Sequence, residues 1–124
     1  MSLTIVTRAQ WGAAAPTKPL QRMLKLPRLN VYIHWLGQGY PENMTDDQIM
    51  RSIQRYHQGT NKWSDVGYNF AVGRGGRAYE GRGLGIVGAH TNGHNSDGMG
   101  IVFLIGKGER PTIDMIHTAT DIIE

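Results

Sequence analysis

The stretch Trp63-Ser64-Asp65-Val66-Gly67-Tyr68-Asn69-Phe70-Ala71-Val72-Gly73-Arg74-Gly75-Gly76-Arg77-Ala78-Tyr79-Glu80-Gly81-Arg82-Gly83 limits what this chain can fold into more than any other. Tyr68, Phe70 and Val72 alternate with smaller or polar neighbours, the period of a strand with one buried face. Arg74-Gly75-Gly76-Arg77 supplies residues that tolerate positive φ in a tight turn, and Tyr79 continues the period on the returning side. A lone hairpin of this size is only marginally stable in water, so it must lie on a larger sheet. Its expected partners are 30–36 before it and 99–105 after it.

Those segments are the other strong strands. Asn30-Val31-Tyr32-Ile33-His34-Trp35-Leu36 is β-branched and aromatic and closes at Gly37, the profile of a central strand. Residues 99–105 are apolar on both faces, as in a strand covered by helices on each side. Thr45-Asp46-Asp47-Gln48 spells a capping box, and Ile49, Ile53 and Tyr56 form one apolar stripe, which predicts a helix over 46–58 ended by Gly59. Ile113, Ile116, Thr120 and Ile123 predict a last helix over 112–124, which reaches Glu124 without a C-cap. Residues 4–12 read as a short edge strand and a turn, with Trp11 as a core plug. Pro16, Pro19 and Pro27 make 13–29 a wrapping connection, with one helical turn around Leu20–Leu24. Ile86-Val87-Gly88-Ala89-His90 reads as a strand that His90 leaves where the loop 91–98 begins. The expected fold is a single α/β domain over 1–124. It has a central mixed sheet (30–36, 68–72, 78–81, 99–105) flanked by the two helices.

Composition narrows the function classes. At 124 residues the chain has length for one core. It has no cysteine, hence no disulfide framework and no cysteine metal cluster. It has no apolar run of about 18 residues and no basic-then-apolar start, so neither a membrane partner nor secretion is expected, and synthesis is expected in the cytosol. The net charge of +3 sits largely on Lys18, Arg22, Lys25 and Arg28 and on Arg74, Arg77 and Arg82. That is too sparse for a nucleic-acid face and suits solvated charge or attraction to an anionic polymer such as a cell wall.

Four ordered motifs carry a resemblance. Val31-Tyr32-Ile33-His34, Asp65-Val66-Gly67-Tyr68-Asn69-Phe70, Gly76-Arg77-Ala78-Tyr79-Glu80-Gly81-Arg82-Gly83 and Val87-Gly88-Ala89-His90-Thr91-Asn92-Gly93-His94-Asn95-Ser96 span most of the chain. With the opening Thr7-Arg8-Ala9-Gln10-Trp11-Gly12, the sequence resembles the peptidoglycan recognition protein and phage lysozyme-type amidase family, the zinc N-acetylmuramoyl-L-alanine amidases. The resemblance implies a peptidoglycan partner and cleavage of the amide between the muramic acid lactyl group and L-alanine by zinc-activated water. It implies His34 as a metal ligand at the end of its strand and Tyr68 as the catalytic tyrosine, orienting water or donating to the oxyanion. The family's other two ligands, a histidine and a cysteine or aspartate, would stand in Gly-His-Arg-Asp-like and Cys-Pro-Gly-like motifs that are absent here. Zinc is therefore expected in the complete domain and weakly or not at all in this chain, which reads as lacking its C-terminal segment. One imidazole does not make the three-ligand set of a catalytic zinc site. Without a signal peptide, the resemblance suggests a phage or prophage endolysin acting on the bacterial wall. The alternative is a metal-free module that binds peptidoglycan without cutting it.

The remaining candidates keep two readings each. His90 is either a cleft group or a polar residue closing a strand. Thr91 and Asn95 either bind stem peptide or sugar or simply form turns. Trp35 and Tyr40 are either an aromatic wall for the ligand or core. His57 and His117 fall on predicted helices as surface or boundary residues, and His94 as a loop residue. Apolar surface left bare by a missing C-terminal segment would favour self-association.

Overall fold

A computed structural model describes residues 3–23, 30–37, 39–41, 43–106 and 108–123. The elements run β1 (Ile5–Val6), α1 (Arg8–Trp11), β2 (Asn30–Trp35), α2 (Asp46–Gly59), β3 (Phe70–Val72), β4 (Ala78–Glu80), β5 (Gly98–Phe103) and α3 (Ile113–Ile123). They form one mixed sheet in the order β1-β4-β3-β5-β2, antiparallel only between β3 and β4. The hairpin is the β3–β4 pair. Its turn uses positive φ at Gly76 and is clasped by Asp46, which accepts from the N–H groups of Arg74 (3.1 Å) and Gly75 (3.2 Å).

Side-chain alternation splits the core between the two faces of the sheet. Ala71 and Val102 face one cluster with Trp11, Leu36, Ile49, Met50, Ile53 and Tyr79, so α2 covers that face. Phe70, Val72, Ile101 and Phe103 face the other with Met99, Met115 and Ala119, so α3 covers that one. The apolar run of β5 is thereby explained: all six of its residues are buried, between β3 and β2 and between two helix layers.

Several expectations change. β2 is an edge strand of the described sheet, not a central one; β5 takes the place beside the hairpin and β1 the far side of β4. Residues 8–11 are a helical turn, started by a Thr7/Gln10 capping box and stopped by Gly12 at φ 82. Residues 20–23 form no helix. Arg22 bridges Ile86 in antiparallel sense, and the N–H groups of Met23 and Val87 donate to Gly85 and Gln21. Leu24, Lys25 and Arg28 lie outside the described residues, as does Glu124. Beyond that bridge, 86–90 is irregular, so His90 does not end a strand.

The Thr45/Gln48 capping box is present, with both reciprocal bonds (3.2 and 2.8 Å). The buried stripe of α2, however, runs through Ile49, Met50, Ile53, Gln54 and His57, and Tyr56 is exposed. On α3 the sheet receives Met115 and Ala119, while Ile113, Ile116 and Ile123 are exposed. Both stripes have helical period.

Candidate functional site

The segment 65–69 is the pedestal of the site. Asp65 is fully buried; its Oδ1 accepts from Val66 N–H (2.7 Å) and Gln54 Nε2 (2.8 Å), and its Oδ2 lies 2.8 Å from Arg8 Nη1. Arg82 donates to the carbonyls of Val66 (2.8 Å) and Val87 (3.0 Å). Asn69, also fully buried, donates through Nδ2 to the Gly83 (2.9 Å) and Ile86 (2.8 Å) carbonyls and accepts from Gly100 N–H (2.9 Å). Gly67 must lack a side chain, because a Cβ there would overlap the Ala89 carbonyl, which lies over its backbone. Between these anchors stands Tyr68, just before β3 and half-buried.

Tyr68 lines a cleft of about 430 Å³ with Leu36, Tyr40, Ser52, Tyr56 and His57, between the end of β2 and α2. The ring of His34, from β2, lies 5.5 Å from that of Tyr68 and 5.8 Å from that of His90. His34 thus stands between His90 and the cleft residue Tyr68, on the sheet face covered by α2. Thr91 joins His34 to His90: its Oγ1 is 3.0 Å from His34 Nε2 and 2.8 Å from His90 Nδ1. Asn95 Oδ1 accepts from the backbone N–H groups of His90 and Thr91, both at 2.8 Å, and so holds the loop closed.

Trp35 is not a wall of this cleft. One residue beyond His34 on a strand points the opposite way, and Trp35, 63% exposed, lines a separate apolar groove with Ile33, Phe103 and Ile105 on the α3 side. Tyr40 does line the cleft. His94 is exposed beside Asp97, and His117 is exposed on α3.

His57, expected as a surface or boundary residue, is instead buried and lines the cleft. It is 8% exposed, accepts from Gly67 N–H through Nδ1 (2.9 Å), and lies 5.8 Å from the Tyr68 ring and 4.6 Å from Trp63. Its place on the Met50, Ile53, His57 stripe is the signal that could have found it. Burial, helped by the Arg82 guanidinium and opposed by Asp65, lowers its pKa to about 4, so the ring is neutral with Nδ1 bare and Nε2–H available. Burial also lowers His34, and it lowers His90 against the raising effect of the bond to the Gly98 carbonyl. Burial, then Tyr40, raises Tyr68, which stays a phenol and a hydrogen-bond donor at neutral pH. The site is an uncharged cleft of imidazoles and hydroxyls, suited to amides and sugars.

The donor set does not fit the zinc centre that the resemblance implies. Among the described residues no three His, Cys, Asp or Glu side chains converge, the sequence has no cysteine, and a hydroxyl separates the imidazoles of His34 and His90. A catalytic zinc site needs about three protein ligands with one open position.

No family model matches the chain. A human N-acetylmuramoyl-L-alanine amidase is 41% identical over 121 residues, 94% of this chain and 21% of that protein. The crystal structure of Drosophila peptidoglycan recognition protein SD superimposes with a TM-score of 0.85 at 32% identity, covering 98% of this chain and 73% of that one. Peptidoglycan recognition protein LE, solved in complex with tracheal cytotoxin, a monomeric diaminopimelic acid-type peptidoglycan, gives a TM-score of 0.83 at 33% identity, over 95% and 70% of the two chains. The chain thus spans about a fifth of the human amidase and nearly three quarters of the solved recognition domain. Sequence and structural likeness agree with the four motifs, and this chain belongs to the peptidoglycan recognition protein and N-acetylmuramoyl-L-alanine amidase family.

Proposed function

We propose that this domain binds peptidoglycan in the cleft at Tyr68 and, as these 124 residues, recognises the polymer without cutting it. The observation that carries the reading is a neutral cleft lined by Tyr68 and His57, with His34 beside the Tyr68 ring and His90 beside His34. The complex of a structural relative with a muropeptide supports the ligand class. Hydrolysis of the muramoyl-L-alanine amide is the reading for a chain that supplies further metal ligands, and descent from such an enzyme accounts for a tyrosine and a histidine held at one cleft end. The phage or prophage lysis setting is a narrower form of that second reading. It rests on the sequence alone.

Two measurements on one preparation test the proposal. Co-sedimentation with insoluble peptidoglycan is expected, and release of L-alanine N-termini is not, with or without added zinc. Failure to co-sediment would remove the binding role. Zinc-dependent release of L-alanine would make the chain an amidase whose ligands come from elsewhere in it or from a second copy.

A further inference from the structure

The His34 ring lies 5.5 Å from that of the cleft residue Tyr68, and the protein fixes which of its nitrogens carries the proton. The cause lies behind it. The His90 ring occupies a slot between Gly88 and Gly100, where a Cβ on either glycine would overlap the ring. The Asn95 amide holds the backbone of His90 and Thr91 in register. His90 is therefore seated, and its two ring nitrogens have defined partners. Nε2 lies 3.2 Å from the Gly98 carbonyl oxygen, which can only accept, so Nε2 carries the proton.

In the neutral ring Nδ1 is then bare and must accept from its partner at 2.8 Å, the Thr91 hydroxyl. A hydroxyl has a single proton to give. With that proton spent on His90, Thr91 Oγ1 meets His34 Nε2, at 3.0 Å, as an acceptor. His34 Nε2 must be the donor. Its Nδ1 is left without a proton and without a hydrogen-bond partner among the described residues.

We infer that Thr91 and His90 are positioning residues: the chain from His34 through Thr91 and His90 to the Gly98 carbonyl locks His34 as the Nε2–H tautomer. Its bare Nδ1 is thereby presented as an acceptor for an amide N–H of the bound ligand. The ligand class, a peptide or N-acetyl amide of peptidoglycan, rests on the proposed function; the tautomer lock does not. The arrangement complements the cleft's donors, the Tyr68 hydroxyl and His57 Nε2–H, so that one end of the site can read both halves of an amide.

The test uses the whole chain labelled with nitrogen-15 at histidine. Long-range proton–nitrogen correlation at neutral pH should show His34 and His90 as Nε2–H, with a slowly exchanging Nε2 proton on His34. Thr91→Val, close in shape but unable to bridge, should lose that protected proton, and Thr91→Ser should restore it. An Nδ1–H tautomer at His34 in the wild type, or a Thr91→Val spectrum with the His34 proton unchanged, would overturn the lock. If Thr91→Val does not fold, the wild-type tautomer and the Thr91→Ser spectrum still decide. Calorimetry with a muropeptide monomer, disaccharide plus stem peptide, should show about a tenfold weaker Kd for Thr91→Val and near wild-type binding for Thr91→Ser. Equal affinity in Thr91→Val would refute the link from tautomer to ligand. A wild type that binds no muropeptide would sink the functional reading while the spectra still judged the lock.

Discussion

Acidification should destabilise this domain through His57. The ring is 8% exposed and its Nδ1 is committed to Gly67 N–H, the residue that precedes Tyr68. Burial, and secondarily Arg82, lowers its pKa to about 4. An imidazole in the unfolded chain titrates at about 6.5. Since the folded value is the lower one, the unfolded chain gains the proton first as the pH falls. The stabilising contribution is therefore complete above about pH 6.5, declines as the pH drops toward about 4, and is fully lost below that. The gap of about 2.5 units would give roughly 3 kcal/mol at most, and partial solvent access to the ring brings it nearer ~2 kcal/mol. Urea unfolding of the wild type and His57→Gln, from neutral pH down to about pH 4.5, measures the difference in slope. Glutamine offers a carbonyl to Gly67 N–H and has no proton to gain, so its stability should fall less by about 1.5 kcal/mol over that interval. His34 and His90, also lowered, contribute in the same direction to both proteins. Equal losses in wild type and His57→Gln would show that His57 is not the titrating group and that the buried-acceptor account is wrong.

Other outcomes follow from single contacts. Asn69→Ala strands the Gly83 and Ile86 carbonyls and the Gly100 N–H, and should cost about 3 kcal/mol or more in denaturant unfolding; a loss under about 1 kcal/mol would mean water replaces the side chain. Tyr68→Phe keeps the ring and removes only the hydroxyl, so the thermal midpoint should hold while muropeptide affinity drops on the order of tenfold; unchanged affinity would remove the phenol from recognition. If the exposed apolar surface of Ile33 and Trp35 drives self-association, sedimentation should depend on concentration in the wild type and not in Trp35→Ser; a wild type that stays monomeric throughout would dismiss that surface.

The hairpin, the capping box at Thr45, the doubly apolar β5 and the two helices are legible from local sequence, because each rests on a period or on a contact a few residues long. The four motifs likewise carry His34 and Tyr68, whose rings lie 5.5 Å apart. What local pattern could not supply is which of several possible faces turns inward. Tyr56 and His57 are neighbours on one helix, yet the histidine is the one turned inward, where its Nδ1 accepts from the distant Gly67 N–H. Ile116 and Met115 make a similar pair on α3, and there the buried stripe follows the small Ala119. β2 has the composition of a central strand and lies at an edge, since strand order depends on pairings between distant segments. Trp35 and His34 are adjacent in sequence and belong to opposite faces, which puts one beside Tyr68 and the other in a separate apolar groove. Thr91 could be read as a turn former from its neighbours alone; only the approach of β2 to the 90–98 loop makes it the link between two imidazoles. Sequence determined the elements and the chemical types at the site, through interactions within a few residues. The tertiary structure decided which nitrogen, hydroxyl and ring meet, because those contacts join segments tens of residues apart whose register only the packed sheet sets.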